Sequence, residues 1–161
     1  MLDVAVIGGG IGGEHINGYA QLPERFRVTA ICDLDQDLAR NLAAQTGGRS
    51  TADIDDVLAD PDIDIVDICL PPAMHVPVAI RVLEAGKHAI VEKPVAGSLV
   101  EADRLVAAEA RSQGSVFPVF QYRYGKAFGQ LAALRAAGLP GRPIAAAIET
   151  HWNRDRDYYA K

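Results

Sequence analysis

The sequence predicts an α/β fold, a doubly wound parallel sheet followed by only the start of a second, α+β domain. Three observations carry this reading. Short apolar runs alternate with helical patterns along the chain, as in a parallel sheet covered on both faces. The first run, Val4-Ala5-Val6-Ile7, empties into the turn Gly8-Gly9-Gly10-Ile11-Gly12-Gly13, and the second run ends on an acid, Asp33. After the Gly138-to-Pro143 segment the pattern changes to a new strand-like run and a polar aromatic stretch.

Strand one covers about Leu2 to Ile7, and the helix behind it runs from about Ile11 to Gln21, stopped by Pro23. Strand two is Arg27 to Cys32. The next helix starts at Asp35, a residue type that caps free amides, and ends before Gly47-Gly48. A short strand at Arg49 to Thr51 leads into a small helix from Asp53 to Ala59, where Asp53, Asp55 and Asp56 suit the positive helix start. Ile63 to Leu70 reads as strand four, ended by Pro71-Pro72 because proline cannot donate to the ladder. A helix from about His75 to Ala85 is closed by Gly86, and strand five is His88 to Glu92. Ser98-Leu99-Val100-Glu101 is a capping-box pattern opening a helix to about Gln113. Strand six is Val116 to Gln121, and a last helix lies near Lys126 to Ala137.

At 161 residues, the chain is long enough to bury a core without disulfides. Its net charge of −5 opposes nucleic acid as a partner, since phosphate binding needs a basic face. No apolar run approaches membrane-spanning length, and Met1-Leu2-Asp3 lacks the basic start of a secretory signal. Cys32 and Cys69 fall in buried strands and read as reduced core residues, which makes the cytoplasm the expected compartment.

In open parallel sheets, ligands sit beyond the carboxyl ends of the strands. The glycine turn, Asp33, the Leu70-to-His75 segment, Glu92-Lys93-Pro94 and Gln121-Tyr122-Arg123-Tyr124 all fall there. The glycines alone say little, because five of the six residues from 8 to 13 are glycine and a G-x-G-x-x-G match is nearly guaranteed. Together with Asp33 they describe a pyrophosphate at a helix start and an acid for ribose hydroxyls. S-adenosylmethionine-dependent methyltransferases use similar glycine–acid pairs, so two nucleotide classes stay open at this point. Glu92-Lys93-Pro94 narrows them. A lysine at a strand tip can exchange a proton with a substrate oxygen while hydride moves at the adjacent carbon. The plainer reading of Lys93 is a solvated surface lysine, with Glu92 as its ionic partner.

Taken as an ordered set, these segments resemble the glucose–fructose oxidoreductase / inositol dehydrogenase / rhizopine-catabolism (Gfo/Idh/MocA) family over nearly the whole chain. The set comprises the glycine turn with His15, Cys32-Asp33, Asp60-Pro61-Asp62-Ile63-Asp64, Pro71-Pro72-Ala73-Met74-His75, Ala85-Gly86-Lys87-His88, Glu92-Lys93-Pro94 and Gln121 to Tyr124. The resemblance implies a Rossmann-type domain and an NAD(P)-dependent oxidoreductase acting on a sugar, cyclitol or related polyol. Lys93 matches the family's catalytic lysine. The cofactor-binding set it implies is Gly8, Gly10, Ile11, Gly12, Gly13, Asp33, Leu70, Pro71, His75, Glu92 and Lys93. Arg123, Tyr124, Trp152 and Arg154 are the substrate-side candidates, and no metal-ligand spacing is present. The glycine turn is one residue shorter than the family's commonest spacing to the histidine, so the third glycine is either Gly12 or Gly13.

A carboxylate at the ribose repels a 2′-phosphate, and Leu34 offers no compensating charge, so NAD(H) is expected over NADP(H). The expected division is residues 1–124 for dinucleotide binding, 125–142 for a connecting helix and linker, and 143–161 for the truncated start of a substrate and oligomerisation domain. The resemblance also implies a homo-oligomer for the full-length protein, and a 161-residue chain that binds dinucleotide without catalysis is the alternative.

Overall fold

The computed structural model describes residues 1–142 together with 144, 145, 147, 149, 151, 153, 155 and 156. Two compact units divide between Phe120 and Gln121. The first holds a six-stranded sheet of order β3-β2-β1-β4-β5-β6, parallel throughout. Its elements are β1 (Leu2–Ile7), α1 (Gly9–Tyr19), β2 (Phe26–Cys32), α2 (Gln36–Thr46), β3 (Arg49–Thr51), α3 (Ile54–Leu58), β4 (Ile65–Ile68), α4 (Pro72–Glu84), β5 (His88–Val91), α5 (Leu99–Glu109) and β6 (Val116–Pro118). The second unit carries a 3₁₀ turn, Gln121–Tyr124, and α6 (Lys126–Ala136).

The central strands bury apolar side chains on both faces, and their period of two feeds two cores. Val4 and Val6 of β1 pack with Ile16, Leu42 and Ile65 on one face. Ala5 and Ile7 pack with Val66, Ile68, Val82 and Leu83 on the other. Strand order reverses between β1 and β4, the place where doubly wound sheets open a crevice.

Local signals set the helix ends. Asp35 accepts from the amides of Asp37 and Leu38 at 3.1 and 3.0 Å, and Gly47 closes α2 at φ +72. Asp53 caps α3 through the Asp55 amide, 2.9 Å away. Ser98 accepts from Glu101 N at 3.2 Å, while the Glu101 carboxylate reaches back to Gly97 N at 2.8 Å. His88 packs at the start of β5, its Nδ1 accepting from Ser115 N at 3.1 Å. Lys87 is buried, with its ammonium donating to the carbonyls of Asp60 and Ile63 at 2.5 and 2.9 Å, which ties the loop before β4 to the loop before β5.

Several boundaries differ from the sequence reading. Helix α1 starts at Gly9, two residues early, with Gly9, Gly10 and Gly12 in its first turn and the Asp33 carboxylate capping the Gly9 amide. Strand β4 keeps only four residues of the apolar run. Helix α4 begins at Pro72 rather than His75, since a proline without an amide is well suited to the first helical position. Strand β6 ends at Pro118. The strand-like run expected after Pro143 lies partly, and Trp152 and Arg154 lie wholly, outside the described residues.

Candidate functional site

The crevice is built from the segments immediately after β1, β2, β4 and β5. Gly8 N donates to Cys32 O at 2.8 Å, and Gly8 itself adopts φ +95. A Cβ at Gly8 would collide with the Cys69 carbonyl, so β1 can pass this close to the end of β4 only with hydrogen there. Gly10 is different. It is exposed, and a Cβ on it would meet nothing within 4 Å. The amides of this first turn have no carbonyl one turn earlier, and together with the helix dipole they favour an anion.

Of the two candidates for the third glycine, Gly12 is the one packed tightly on the sheet. A Cβ there would lie 2.8 Å from Val6 Cγ1 and 3.5 Å from Cys69 Cβ, whereas at Gly13 it would make only ordinary contact, 3.7 Å from Leu42 Cδ2. The close approach of helix to sheet therefore falls on Gly12, and Ile11 beside it is half exposed.

Asp33 faces the turn directly. Its Oδ2 accepts from Gly9 N at 2.6 Å and its Oδ1 from Asp35 N at 2.8 Å. Gly8 has no side chain to cap α1, so this carboxylate does so from the next strand. Each oxygen keeps a second lone pair for hydroxyl donors. Leu34, 89% exposed, brings no charge, Gln36 donates to the Asp33 carbonyl at 2.6 Å, and Asp37 is paired with Arg40.

Beyond β4, Leu70 and Pro71 lead into α4. His75 in its first turn is buried, with Nδ1 2.7 Å from Pro94 O and Nε2 2.7 Å from Leu70 O. The ring clamps the loop after β4 to the loop after β5, so it shapes the crevice wall from inside. The Lys93–Pro94 peptide bond is cis.

At the tip of β5, Glu92 is buried and Lys93 is 59% exposed. Glu92 Oε2 accepts from Lys93 N at 2.9 Å, with Lys93 Nζ 3.8 Å away. The other oxygen, Oε1, meets His15 Nε2 at 3.2 Å, and His15 Nδ1 meets Asp67 Oδ2 at 2.8 Å. Asp67, with no exposure, also accepts from Tyr19 OH at 2.8 Å and from the Cys69 thiol at 3.6 Å. The hydrogen bond to Asp67 raises the His15 pKa against its partial burial, and both carboxylates add to the rise. Burial, then Asp67, push the Tyr19 hydroxyl and the Cys69 thiol far up, so both remain neutral donors. Because the His15 shift is upward, the stabilisation from this bridge is full below the ordinary histidine range. It is lost as pH rises through the higher folded value. The ligating atoms of His15, Asp67 and Cys69 lie within 4.8 Å of one another, but they are taken up by bonds within the cluster.

The sequence reading missed Asp67 and its partners. A signal was present: an acid inside an otherwise apolar, buried strand must be paired, and His15 and Tyr19, four apart on one helix face, are suited to pair it. Of the substrate-side candidates, Arg123 and Tyr124 belong to the second unit, in its 3₁₀ turn, and both are exposed.

A sheet reversing beside β1, a glycine turn at that point and an acid on the next strand define a dinucleotide-binding α/β domain. The chain belongs to the Gfo/Idh/MocA family: the family model described as an oxidoreductase family, NAD-binding Rossmann fold, matches residues 2–120. Among curated relatives, inositol 2-dehydrogenase 3 of Saccharopolyspora erythraea is 32% identical over 145 residues, 89% of this chain and 43% of that protein. Levoglucosan dehydrogenase of Pseudarthrobacter phenanthrenivorans is 35% identical over 131 residues, 76% of this chain and 34% of that one. Among solved structures, the WlbA dehydrogenase of Bordetella pertussis in complex with NADH and UDP-GlcNAcA superposes with TM-score 0.92 at 28% identity, covering 99% of this chain and 46% of that chain. The chain thus spans less than half the length of these relatives.

Proposed function

We propose that the full-length protein is an NAD-dependent oxidoreductase acting on a carbinol of a sugar, cyclitol or related polyol, with Lys93 as proton donor and acceptor. The observation that carries this reading is Lys93 itself, an exposed ammonium tethered by Glu92 at the tip of β5. The turn residues Gly8, Gly10, Ile11 and Gly12 would hold the pyrophosphate, Asp33 the adenosine ribose, and Leu70 and Pro71 the nicotinamide end. Bound there, the nicotinamide supplies the acceptor or donor of hydride. Lys93 takes the hydroxyl proton as the carbinol C–H leaves as hydride, and returns it to the carbonyl oxygen in reduction. Relatives named as inositol and levoglucosan dehydrogenases support the substrate class. Arg123, Tyr124, Trp152 and Arg154 are assigned to the substrate side. The 161-residue chain alone, less than half of its relatives' length, is expected to bind the dinucleotide without turnover.

The preference for NAD(H) rests on the Asp33 carboxylate at the ribose end, followed in the chain by the uncharged Leu34 and the acid Asp35. NADH should bind at least about tenfold more tightly than NADPH, and Asp33→Ser should narrow the gap by weakening NADH. Titration of nicotinamide fluorescence checks this, and equal affinities in the unaltered protein would remove the preference. The broader reading is tested by assaying the full-length protein with NAD⁺ and a panel of cyclitols and sugars. Absence of reduced nicotinamide with every member would sink the proposed substrate class.

A further inference from the structure

The β4 strand and the tip of β5 send Asp67, Cys69, Ile90 and Glu92 to the face covered by α1, by simple alternation. Asp67 stands in register with Val6 and Ile90, two apolar neighbours, and is fully buried. A carboxylate there needs several donors. It finds three: Tyr19 from α1, the Cys69 thiol just after β4, and His15 from α1. Glu92, the second buried acid on this face, meets the other nitrogen of the same ring. A neutral imidazole has one N–H to give, and two carboxylates facing both nitrogens call for two. The imidazolium meets that demand and places one positive charge between two buried negative ones. The second oxygen of Glu92 then carries the backbone and ammonium of Lys93.

We propose that His15 is a positioning residue for Lys93: clasped as an imidazolium between Asp67 and Glu92, it fixes the carboxylate that carries the lysine. The titratable groups facing it are Asp67 from β4, Cys69 after β4, Glu92 after β5 and Tyr19 from its own helix. The proton-transferring group is thereby held from behind the sheet, by a helix that also starts at the glycine turn. The inference rests on the assignment of proton transfer to Lys93.

Two measurements test it in the full-length protein. In ¹⁵N-histidine spectra of the unaltered protein at neutral pH, both ring nitrogens of His15 should be protonated, and a neutral tautomer would overturn the proposal. In kinetics, His15→Gln should lower kcat about tenfold while leaving NADH affinity within about twofold. The acid limb of kcat/KM for alcohol oxidation should move to higher pH by about half a unit or more, because losing a nearby positive charge favours protonated neighbours. In a Glu92→Gln background, His15→Gln should add nothing, since it acts through that carboxylate. Full additivity, or an unmoved pH profile with kcat within about twofold of normal, would refute the role. If His15→Gln does not fold, the spectra of the unaltered protein decide alone. Normal turnover in Lys93→Met would fail the proposed function, whereas an inactive Lys93→Met beside an unmoved His15→Gln profile fails only this inference.

Discussion

Lys93→Met in the full-length protein is expected to lower kcat by about 10²- to 10⁴-fold, the usual worth of a positioned general acid or base. Affinity for NADH should stay within about twofold, because methionine keeps the aliphatic stem and loses only the ammonium. Folding should hardly change. The lysine is 59% exposed, its Nζ stands 3.8 Å from Glu92, and an exposed ion pair of that kind contributes little stability. The backbone bond from Lys93 N to Glu92 Oε2 survives the change. A drop in turnover with binding and melting temperature intact therefore isolates proton transfer. Near-normal turnover would return Lys93 to the status of a surface lysine.

The second large effect separates two glycines two residues apart. Gly8→Ala must place a methyl against the Cys69 carbonyl at a backbone angle of φ +95. Strained backbone costs about 1–3 kcal/mol before any collision is counted. A loss of about 3 kcal/mol or more is expected, roughly 6–12 °C in melting temperature for a chain of this size. Gly10→Ala adds its methyl to open space on a helical residue, and the melting temperature should hold or rise slightly. Yet that methyl would stand where the proposed pyrophosphate approaches the backbone, so NADH affinity should fall at least about tenfold. Thermal denaturation and NADH titration of both variants decide the matter. Equal thermal losses would contradict the geometry of the turn, and full NADH affinity in Gly10→Ala would place the pyrophosphate elsewhere.

Much of this was legible in the sequence because the signals are local. Asp35, Asp53 and Ser98 announce helix starts through side chains that reach amides two or three residues on. The alternation of strands and helices fixes a parallel sheet, and the glycine turn with Asp33 places the crevice. What stayed hidden depends on partners distant in sequence. Gly12 and Gly13 are chemically identical, and only the packing of Val6 and Cys69 against α1 distinguishes them. His15 gains its meaning from Asp67, 52 residues away, and Glu92, 77 residues away. The carbonyls of Leu70 and Pro94 that flank the His75 ring are likewise partners that the order of residues along the chain does not reveal.

The contacts of α1 also explain which insertions this part of the chain could accept. Gly12 sits against Val6, and His15, three residues later, reaches Asp67 on the neighbouring strand. An added residue between them would turn the ring by about 100° around the helix axis and aim it away from the sheet. An added residue among Gly9, Gly10 and Ile11 would keep both contacts but turn the start of the helix, where Gly9 N meets Asp33 and the backbone lies against Leu38. The stretch from Gly12 to His15 is thus a fixed ruler, held at one end by Val6 and at the other by Asp67.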